Sequence, residues 1–222
     1  MADYSATRDR VEQYFDRSAT KVWERLTSDA PVSRIRQTVR EGRDKMRALM
    51  LGRLPSDLRG ARVLDAGCGA GQMTAELAAR GADVTAVDIS PALVEIARAR
   101  LPEALAQRVT FAAGDMTAAH HGSFDYVLAM DSLIYYGTPD IAAALDRLGA
   151  RTREAVVFTV APKTPFLMAF WTLGKAFPRA DRSPTMVPHA FETLHKATGG
   201  RLRQIDRVSR GFYISECLEY RP

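Results

Sequence analysis

The chain has few cysteines and histidines and no long apolar run. Its 222 residues include 2 cysteines and 4 histidines. Cys68 and Cys217 alone cannot form a disulfide framework, so we expect a reducing compartment. No stretch approaches the roughly 18 to 20 apolar residues that span a bilayer, and the N-terminus lacks a basic segment followed by an apolar core. These absences argue against a disulfide-rich secreted domain and a membrane-spanning protein, and they predict a cytoplasmic one.

The composition is that of a folded domain with a basic surface. Hydrophobic residues make up 46% and charged residues 26% of the chain, which is ordinary for a globular protein. The length fits one α/β domain with an appendage. The net charge of +5 favours an acidic partner, which charge alone does not identify: a carboxylate substrate, an anionic membrane surface or a nucleic acid.

The glycine-rich run at residues 63–71, VLDAGCGAG, is followed by VTAVDIS at residues 84–90. This pattern predicts a strand, a glycine turn, a helix and a second strand that ends in Asp88, at the distance expected for holding ribose hydroxyls. A dinucleotide turn has the spacing G-x-G-x-x-G, whereas Gly67, Gly69 and Gly71 follow G-x-G-x-G directly after Asp65. The run therefore indicates a nucleotide-type cofactor that is not a dinucleotide.

Alternating patterns continue to the end of the chain. They predict helices at 91–100 and 139–149 and strands at 108–112, 124–129 and 155–160, typical of a parallel sheet covered by helices. Two strand-like runs, 202–208 and 212–219, are separated by three residues, so they must form an antiparallel hairpin. We predict an N-terminal helical arm (1–58) and a core (59–222) with a lid-like insertion at about 162–188.

A helix is predicted within the arm, from Val32 to Leu51. Its apolar residues recur at helical spacing: Val32, Ile35, Val39, Met46, Leu49 and Met50. Another face carries a stripe of arginines: Arg36, Arg40, Arg43 and Arg47. The apolar face should pack on the core. The arginine face is either solvated, with support from nearby carboxylates, or it binds a substrate carboxylate or a membrane.

The pattern D-x-G-x-G-x-G followed by a strand with an acidic end resembles the class I methyltransferases that use S-adenosylmethionine (SAM). The resemblance implies SAM as cofactor, S-adenosylhomocysteine (SAH) as product, and ligands beyond the carboxyl ends of the strands. It implies the following cofactor-binding residues: Asp65, Gly67, Cys68, Gly69, Asp88, Ile89, Asp115, Met116 and Met130. Within this set Asp88 would hold the ribose, Asp115 the adenine amino group and Met116 the adenine ring, while Cys68 would lend only its backbone.

Three further segments, 14–25, 32–43 and 162–165 leading to 188–189, resemble the magnesium-protoporphyrin IX O-methyltransferases over nearly the whole chain. This resemblance implies transfer of a methyl group from SAM to one propionate of magnesium-protoporphyrin IX, on the route to chlorophyll or bacteriochlorophyll. It also suggests a contact with magnesium chelatase. Because no His, Cys, Asp and Glu cluster has the spacing of a metal site, the magnesium would arrive with the substrate.

A propionate is ionised at neutral pH, so the expected chemistry is alignment rather than base catalysis. The residues assigned to catalysis are Asp131, Tyr135 and Tyr136. Those assigned to the substrate are Arg36, Arg40, Phe166, Trp171 and His189, although the aromatic segment could equally pack in the core and His189 could close a helix end. The chain departs from the family pattern at Tyr135, where many members carry histidine, and near Thr27, where they carry tyrosine.

Three other functions stay open from the residues. A SAM-dependent enzyme could methylate another small aromatic or carboxylic acceptor, and a SAM-binding module could lack catalysis altogether. A nucleic-acid methyltransferase is disfavoured, because the loop after the fourth strand lacks N/D-P-P-Y and no aromatic residues interleave a basic stretch. We therefore expect no nucleic-acid partner.

Overall fold

A computed structural model describes residues 4–15, 33–165, 167–168 and 184–222. Its helices are listed in chain order: α1 Tyr4–Tyr14, α2 Arg34–Leu51, α3 Gln72–Ala79, α4 Pro91–Arg100, α5 Thr138–Gly149 and α6 Phe191–Ala197. Its strands are β1 Arg62–Ala66, β2 Asp83–Asp88, β3 Val109–Ala113, β4 Phe124–Ala129, β5 Thr152–Pro162, β6 Pro188–His189, β7 Leu202–Arg210 and β8 Tyr213–Tyr220. Helices and strands alternate through the core, as the sequence predicts.

The strands form one mixed sheet in the order β3-β2-β1-β4-β5-β8-β7, and the short β6 pairs with β5. The pairs β1–β2, β2–β3, β1–β4 and β4–β5 are parallel. The strand order reverses between β1 and β4, and ligands of such sheets bind at this switch point, beyond the carboxyl ends. The topology therefore places a ligand site beside the loops after β1, β2 and β4.

The C-terminal hairpin is confirmed. β7 pairs with β8 and β8 pairs with β5, both in antiparallel register. Gly211 adopts a φ of 58° in the connection between the strands, a left-handed conformation that glycine reaches without strain. The expected class I methyltransferase fold, a mostly parallel sheet ending in an antiparallel hairpin, is thus confirmed.

Helix α2 packs on the sheet as expected, but its apolar stripe is shorter than predicted. Ser33 caps the helix by accepting a hydrogen bond from the Arg36 amide, and the buried positions are Gly42, Met46, Met50 and Leu51. Ile35 is 56% exposed, so the prediction that it packs on the core is wrong. The buried positions of α2 begin only at Gly42, so the first two turns of the helix contribute little to the core.

Each face of the sheet has its own hydrophobic core. One core joins α2 and α3 to the sheet and contains Met46, Leu77 and Tyr213. The opposite core joins α5 and α6 to the sheet and contains Leu145 and Tyr220. The sheet is therefore packed on both faces, and the loops at the carboxyl ends of its strands start from this packed scaffold.

Most of the predicted insertion, including residues 166 and 169–183, lies outside the described residues. After it, Val187 donates its amide to the Ile134 carbonyl, and β6 runs parallel to the end of β5. The chain therefore returns to the sheet beside the loop that follows β4. No helix in the described part of the chain is long and apolar enough to cross a membrane.

Candidate active site

A cavity opens at the carboxyl ends of the parallel strands. It holds about 1010 Å³ of space, part of it open to solvent. The loops after β1, β2, β3 and β4 form its floor, and α1 and α2 contribute side chains to its wall. All nine residues predicted to bind the cofactor line this one cavity: Asp65, Gly67, Cys68, Gly69, Asp88, Ile89, Asp115, Met116 and Met130.

The loop after β1 depends on its glycines. Gly67 and Gly69 have φ angles of 91° and 52°, a region that L side chains rarely adopt. A Cβ on Gly67 would lie 2.4 Å from the Ser132 Cβ, so the loops after β1 and β4 touch there. A Cβ on Gly69 would meet no atom within 4 Å. The Gly69 position thus leaves open space for a ligand to approach the backbone.

Asp88 ties the loops after β1 and β2 together. Its carboxylate accepts the Gly69 amide at 2.8 Å and the Ser90 amide at 2.9 Å, and the residue is only 8% exposed. The cap of α4 is Ser90, whose hydroxyl accepts the Leu93 amide at 3.3 Å. Asp88 is therefore not the cap of that helix, and its carboxylate lies at the cavity.

Burial shifts the pKa values of two other groups that line the cavity, Asp65 and Cys68. Burial raises the pKa of Asp65 to about 7, and the Thr74 hydroxyl donates to its carboxylate at 2.5 Å. Burial and the nearby carboxylates raise the pKa of the Cys68 thiol well above its ordinary value. The Cys68 thiol is therefore neutral at physiological pH, which agrees with its lack of an assigned chemical role.

At the loop after β3, Asp115 meets side chains from α1. The Tyr4 hydroxyl donates to its carboxylate at 3.0 Å, and the Arg8 guanidinium lies 3.7 Å from its second oxygen. The Thr117 amide and hydroxyl also donate to it, both at 2.8 Å. Burial raises the pKa of Asp115, but these hydrogen bonds outweigh burial and leave the pKa lowered overall. Asp115 therefore carries its negative charge at neutral pH.

Asp131 lies on the cavity wall, directly after the Met130 turn. Its φ is 57°, an uncommon conformation for a non-glycine residue. Arg43 from α2 donates to its carboxylate at 2.5 Å, and Tyr213 from β8 donates at 3.1 Å. Thr159 from β5 accepts the Asp131 amide at 2.8 Å and donates back to the carboxylate at 3.2 Å. Asp131 thus joins three separate elements.

Both tyrosines assigned to catalysis line the cavity. Burial raises the pKa of Tyr135 and of Tyr136, so both phenols keep their protons and can only donate or accept neutral hydrogen bonds. Tyr135 contacts Phe15 edge to face at 6.3 Å between ring centroids. Tyr136 stacks on Tyr4 at 4.9 Å. The two rings therefore form part of the apolar wall under α1.

The arginines and His189 are placed differently from the assignment. Arg43 and Arg47 line the cavity, whereas Arg40 and Arg36, one and two turns earlier than Arg43 on α2, do not. Both ring nitrogens of the buried His189 contact protein atoms, the Thr138 hydroxyl at 3.1 Å and the Tyr136 carbonyl at 3.0 Å. The structure does not bring His189 to the cavity, and its nitrogens are occupied. Phe166, Trp171 and Thr27 lie outside the described residues.

The sequence interpretation missed one face of α1. Residues Tyr4, Arg8, Val11 and Phe15 all line the cavity. Their spacing of four, three and four residues places them on one side of a helix, and this spacing was the available signal. The wall of the cavity is therefore made by α1 as well as by the loops.

The described residues fit a bound SAM molecule. Ser132 Oγ is buried and has no hydrogen-bond partner among the described residues, although it lines the cavity beside the Gly67 turn. A buried hydroxyl without a partner is costly, and a polar ligand group can satisfy it. The open space at Gly69 and the carboxylate of Asp88 complete a cradle for a polar ligand. No group of three His, Cys, Asp or Glu side chains suited to a metal occurs among the described residues.

Comparisons with known proteins agree with this geometry. Residues 129–222 match a family model described as the C-terminus of magnesium-protoporphyrin IX methyltransferase, and residues 63–154 match a methyltransferase domain. The magnesium-protoporphyrin O-methyltransferase of Rhodobacter capsulatus is 64% identical over 222 residues, covering 100% of this chain and 99% of that one. The enzyme of the same name from Synechocystis is 31% identical over 216 residues, 94% of each chain.

A solved structure gives the same result. The crystal structure of magnesium protoporphyrin IX methyltransferase from Synechocystis PCC 6803 with bound SAH superposes with a TM-score of 0.81 and 29% identity, covering 97% of this chain and 100% of that one. The predicted resemblance and the predicted cofactor are thereby confirmed. The chain belongs to the magnesium-protoporphyrin O-methyltransferase family.

Proposed function

We propose that this protein transfers the methyl group of SAM to one propionate of magnesium-protoporphyrin IX. The full-length identity of 64% to the Rhodobacter capsulatus enzyme supports the reaction. The observation that carries the proposal is one cavity lined by both a cofactor cradle and a partly buried arginine–carboxylate pair. Two ligands can therefore meet within it.

At the cofactor end, we assign the ribose to Asp88 and the adenine amino group to Asp115. Asp88 already holds the Gly69 and Ser90 amides, so its carboxylate is fixed in place before a ligand arrives. The backbone of Gly67 to Gly69 and the Ser132 hydroxyl surround the methionine portion. SAM supplies the methyl group, and this end of the cavity contributes binding and orientation.

At the acceptor end, we assign the propionate to Arg43. A guanidinium binds a carboxylate through two parallel hydrogen bonds, which fixes both its position and its plane. Asp131 holds Arg43 from the other side. The protonated Tyr135 phenol lies at the same wall and can donate to a propionate oxygen. No base is needed because the propionate is already ionised at neutral pH.

The remaining contribution is the exclusion of water. Four apolar side chains cluster together, and all four line the cavity: Val11, Phe15, Ile89 and Leu93. An apolar wall keeps water from the sulfonium and strengthens the electrostatic contacts that align the reacting atoms. The alignment of a bound nucleophile then accounts for most of the rate.

The test is incubation of the purified protein with SAM and magnesium-protoporphyrin IX, followed by chromatography and mass spectrometry. We expect one monomethyl ester and SAH in equal amounts. Free-base and zinc porphyrins, assayed in parallel, show how strongly the macrocycle is recognised. If SAM binds but no ester forms, the acceptor is wrong and another small aromatic or carboxylic acceptor takes its place.

We also propose peripheral contact with an anionic membrane surface. Ile35 and Phe212 are each 56% exposed, and they lie on neighbouring elements, since a Cβ on Gly211 would be 2.4 Å from the Thr38 Oγ. The net charge of +5 favours an anionic surface. The protein should sediment with vesicles that contain phosphatidylglycerol, and the double variant Ile35→Ser with Phe212→Ser should not. Failure of the wild-type protein to sediment contradicts this contact.

A contact with magnesium chelatase is proposed on the family resemblance alone. Such a contact would pass the hydrophobic porphyrin directly between the two proteins. Immobilised protein should retain purified chelatase subunits, in the presence of porphyrin above all. Equal retention on an unrelated basic protein would remove this part of the proposal.

A further inference from the structure

Tyr213 lies outside the cavity, yet it contacts Asp131 and the helix that carries Arg43. Its side chain is buried at 8% exposure, and its hydroxyl donates to Asp131 at 3.1 Å. Its ring packs against α2 at Gly42, where a Cβ would lie 2.6 Å from the ring carbon Cδ1. Gly42 is the residue directly before Arg43. Tyr213 thus contacts the Asp131 carboxylate through its hydroxyl, and its ring limits how closely α2, the helix that carries Arg43, approaches β8.

In the hydrogen bond between them, Tyr213 is always the donor and Asp131 the acceptor. Burial raises the pKa of Tyr213, so the phenol stays protonated and remains a donor. Asp131 can accept from several donors at once, and it also takes the Thr159 hydroxyl at 3.2 Å. These two neutral donors fix the carboxylate in the plane from which it contacts Arg43. The uncommon backbone conformation of Asp131 adds to the need for fixed partners.

We propose that Tyr213 is a positioning residue for methyl transfer, which holds the Arg43–Asp131 pair in the geometry that receives the acceptor carboxylate. Because Tyr213 does not line the cavity, its effect passes through Asp131 and through the fit of its ring against Gly42. The inference rests on the proposed function at one point, the binding of the acceptor at Arg43. The hydrogen bond and the ring contact stand independently of it.

The chain supplies its own control on the same strand. Tyr220 is also buried, its hydroxyl donates to Asp146 at 3.1 Å, and its ring lies under a glycine, since a Cβ on Gly149 would be 2.5 Å away. Tyr220 lies in the opposite core, and neither it nor Asp146 lines the cavity. The two tyrosines therefore make the same contacts, one beside the acceptor end and the other remote from it.

The experiment compares Tyr213→Phe with Tyr220→Phe in the full-length protein. Both variants keep the ring and lose one phenol donor, so both should melt within a few degrees of each other. For Tyr213→Phe we expect kcat/KM for the porphyrin to fall about tenfold, the effect of roughly one hydrogen bond to a charged group, while the Kd for SAM changes less than twofold. Tyr220→Phe should match wild type in both. Equal turnover of the two variants would overturn the proposal. A loss of SAM affinity in Tyr213→Phe as large as its loss in kcat/KM for the porphyrin would also overturn it.

A second measurement does not need the porphyrin. In a double-mutant cycle, Tyr213→Phe and Asp131→Asn should be non-additive in urea unfolding, with at least a twofold coupling in the unfolding constant. Tyr220→Phe and Asp131→Asn should be additive, because distant sites add. If wild type forms no ester but the coupling is present, the proposed acceptor fails and the Tyr213 contact survives. If the ester forms and no coupling is found, the positioning inference fails by itself.

Discussion

The two ends of the cavity are built by different means. The proposed cofactor end is made mostly of backbone turns and carboxylates from one stretch, residues 65–116, that follow three neighbouring strands, with Met130 and Ser132 beside them. The acceptor end is made of side chains far apart in the chain, because Arg43 is 88 residues from Asp131 and Tyr213 is 82 residues beyond it. The first end is a local motif, whereas the second exists only after α2 and β8 have packed on the sheet.

The largest effect is expected from Asp88→Ala at the cofactor end. The change removes the group assigned to the ribose and the acceptor of the Gly69 and Ser90 amides. Two charge-assisted hydrogen bonds contribute roughly 3 to 6 kcal/mol, so the SAM affinity should fall about 100-fold or more. Calorimetric titration measures it. Asp83→Ala, at the exposed start of the same strand, is the control, and a loss below threefold in Asp88→Ala would contradict the assignment.

Arg43→Ala tests the acceptor end. The change removes the two-bond contact assigned to the acceptor carboxylate, which is worth about 2 kcal/mol or more, so kcat/KM for the porphyrin should fall about 30-fold or more. The SAM affinity should change less than twofold, which is the reverse of the Asp88 result. Arg36→Ala, on an exposed turn of the same helix, should change neither value. If Arg36→Ala has the larger effect on porphyrin turnover, the acceptor binds near the first turns of α2 and not at Arg43.

The pH dependence of stability tests the cofactor end without a ligand. Because the folded pKa of Asp65 is raised to about 7, the folded state binds this proton more strongly than the unfolded chain does. Its contribution to stability is present at low pH and is lost as the pH rises from about 4 through 7. Between pH 5 and pH 8 the loss is on the order of 2 kcal/mol.

Asp65→Asn should flatten this part of the curve, measured as the free energy of urea unfolding at the two pH values. Asp83→Asn, on an exposed side chain, should leave the wild-type slope in place. An identical slope in wild type and Asp65→Asn would show that the carboxyl is ionised throughout this range.

The smallest effect is expected from Tyr4→Phe, which keeps the ring stacked on Tyr136 and removes the hydroxyl that donates to Asp115. One hydrogen bond is worth about 1 kcal/mol, so the SAM affinity should fall about fivefold. Tyr14→Phe on the same helix, whose ring contacts Phe15, is the matched control. A gain in affinity would mean that Tyr4 competes with the adenine for Asp115.

The residues that the sequence assigns to the cofactor share one cavity in the structure, because the signals that mark them are local. The glycines need left-handed backbone angles and Asp88 must follow a strand, so spacing alone identifies both. The arginine stripe on α2 was also predicted, but not which of its members faces the cavity. Which arginine reaches the cavity depends on how α2 packs on the sheet, for example at the contact between Gly42 and the Tyr213 ring, and residues so far apart in the chain give no local signal.

The contacts of His189 could not be predicted from the sequence either. Its neighbourhood of prolines and its position before α6 gave no indication that both ring nitrogens would be taken by Thr138 and the Tyr136 carbonyl. The α1 face was missed for a related reason. Tyr4, Arg8, Val11 and Phe15 have helical spacing, but periodicity does not say which surface a helix covers. Both cases needed the tertiary arrangement.

The Arg43–Asp131 pair joins the arm helix to the sheet across a cavity wall. Thermodynamic linkage then makes the pair reciprocal: a ligand that binds more tightly when α2 is seated must stabilise the seating of α2 by the same free energy. A bound acceptor carboxylate therefore adds to the stability of the fold according to its concentration above its Kd. The packing of α2 on the sheet is an intramolecular binding step, whose effective concentration is set by the chain that connects the two.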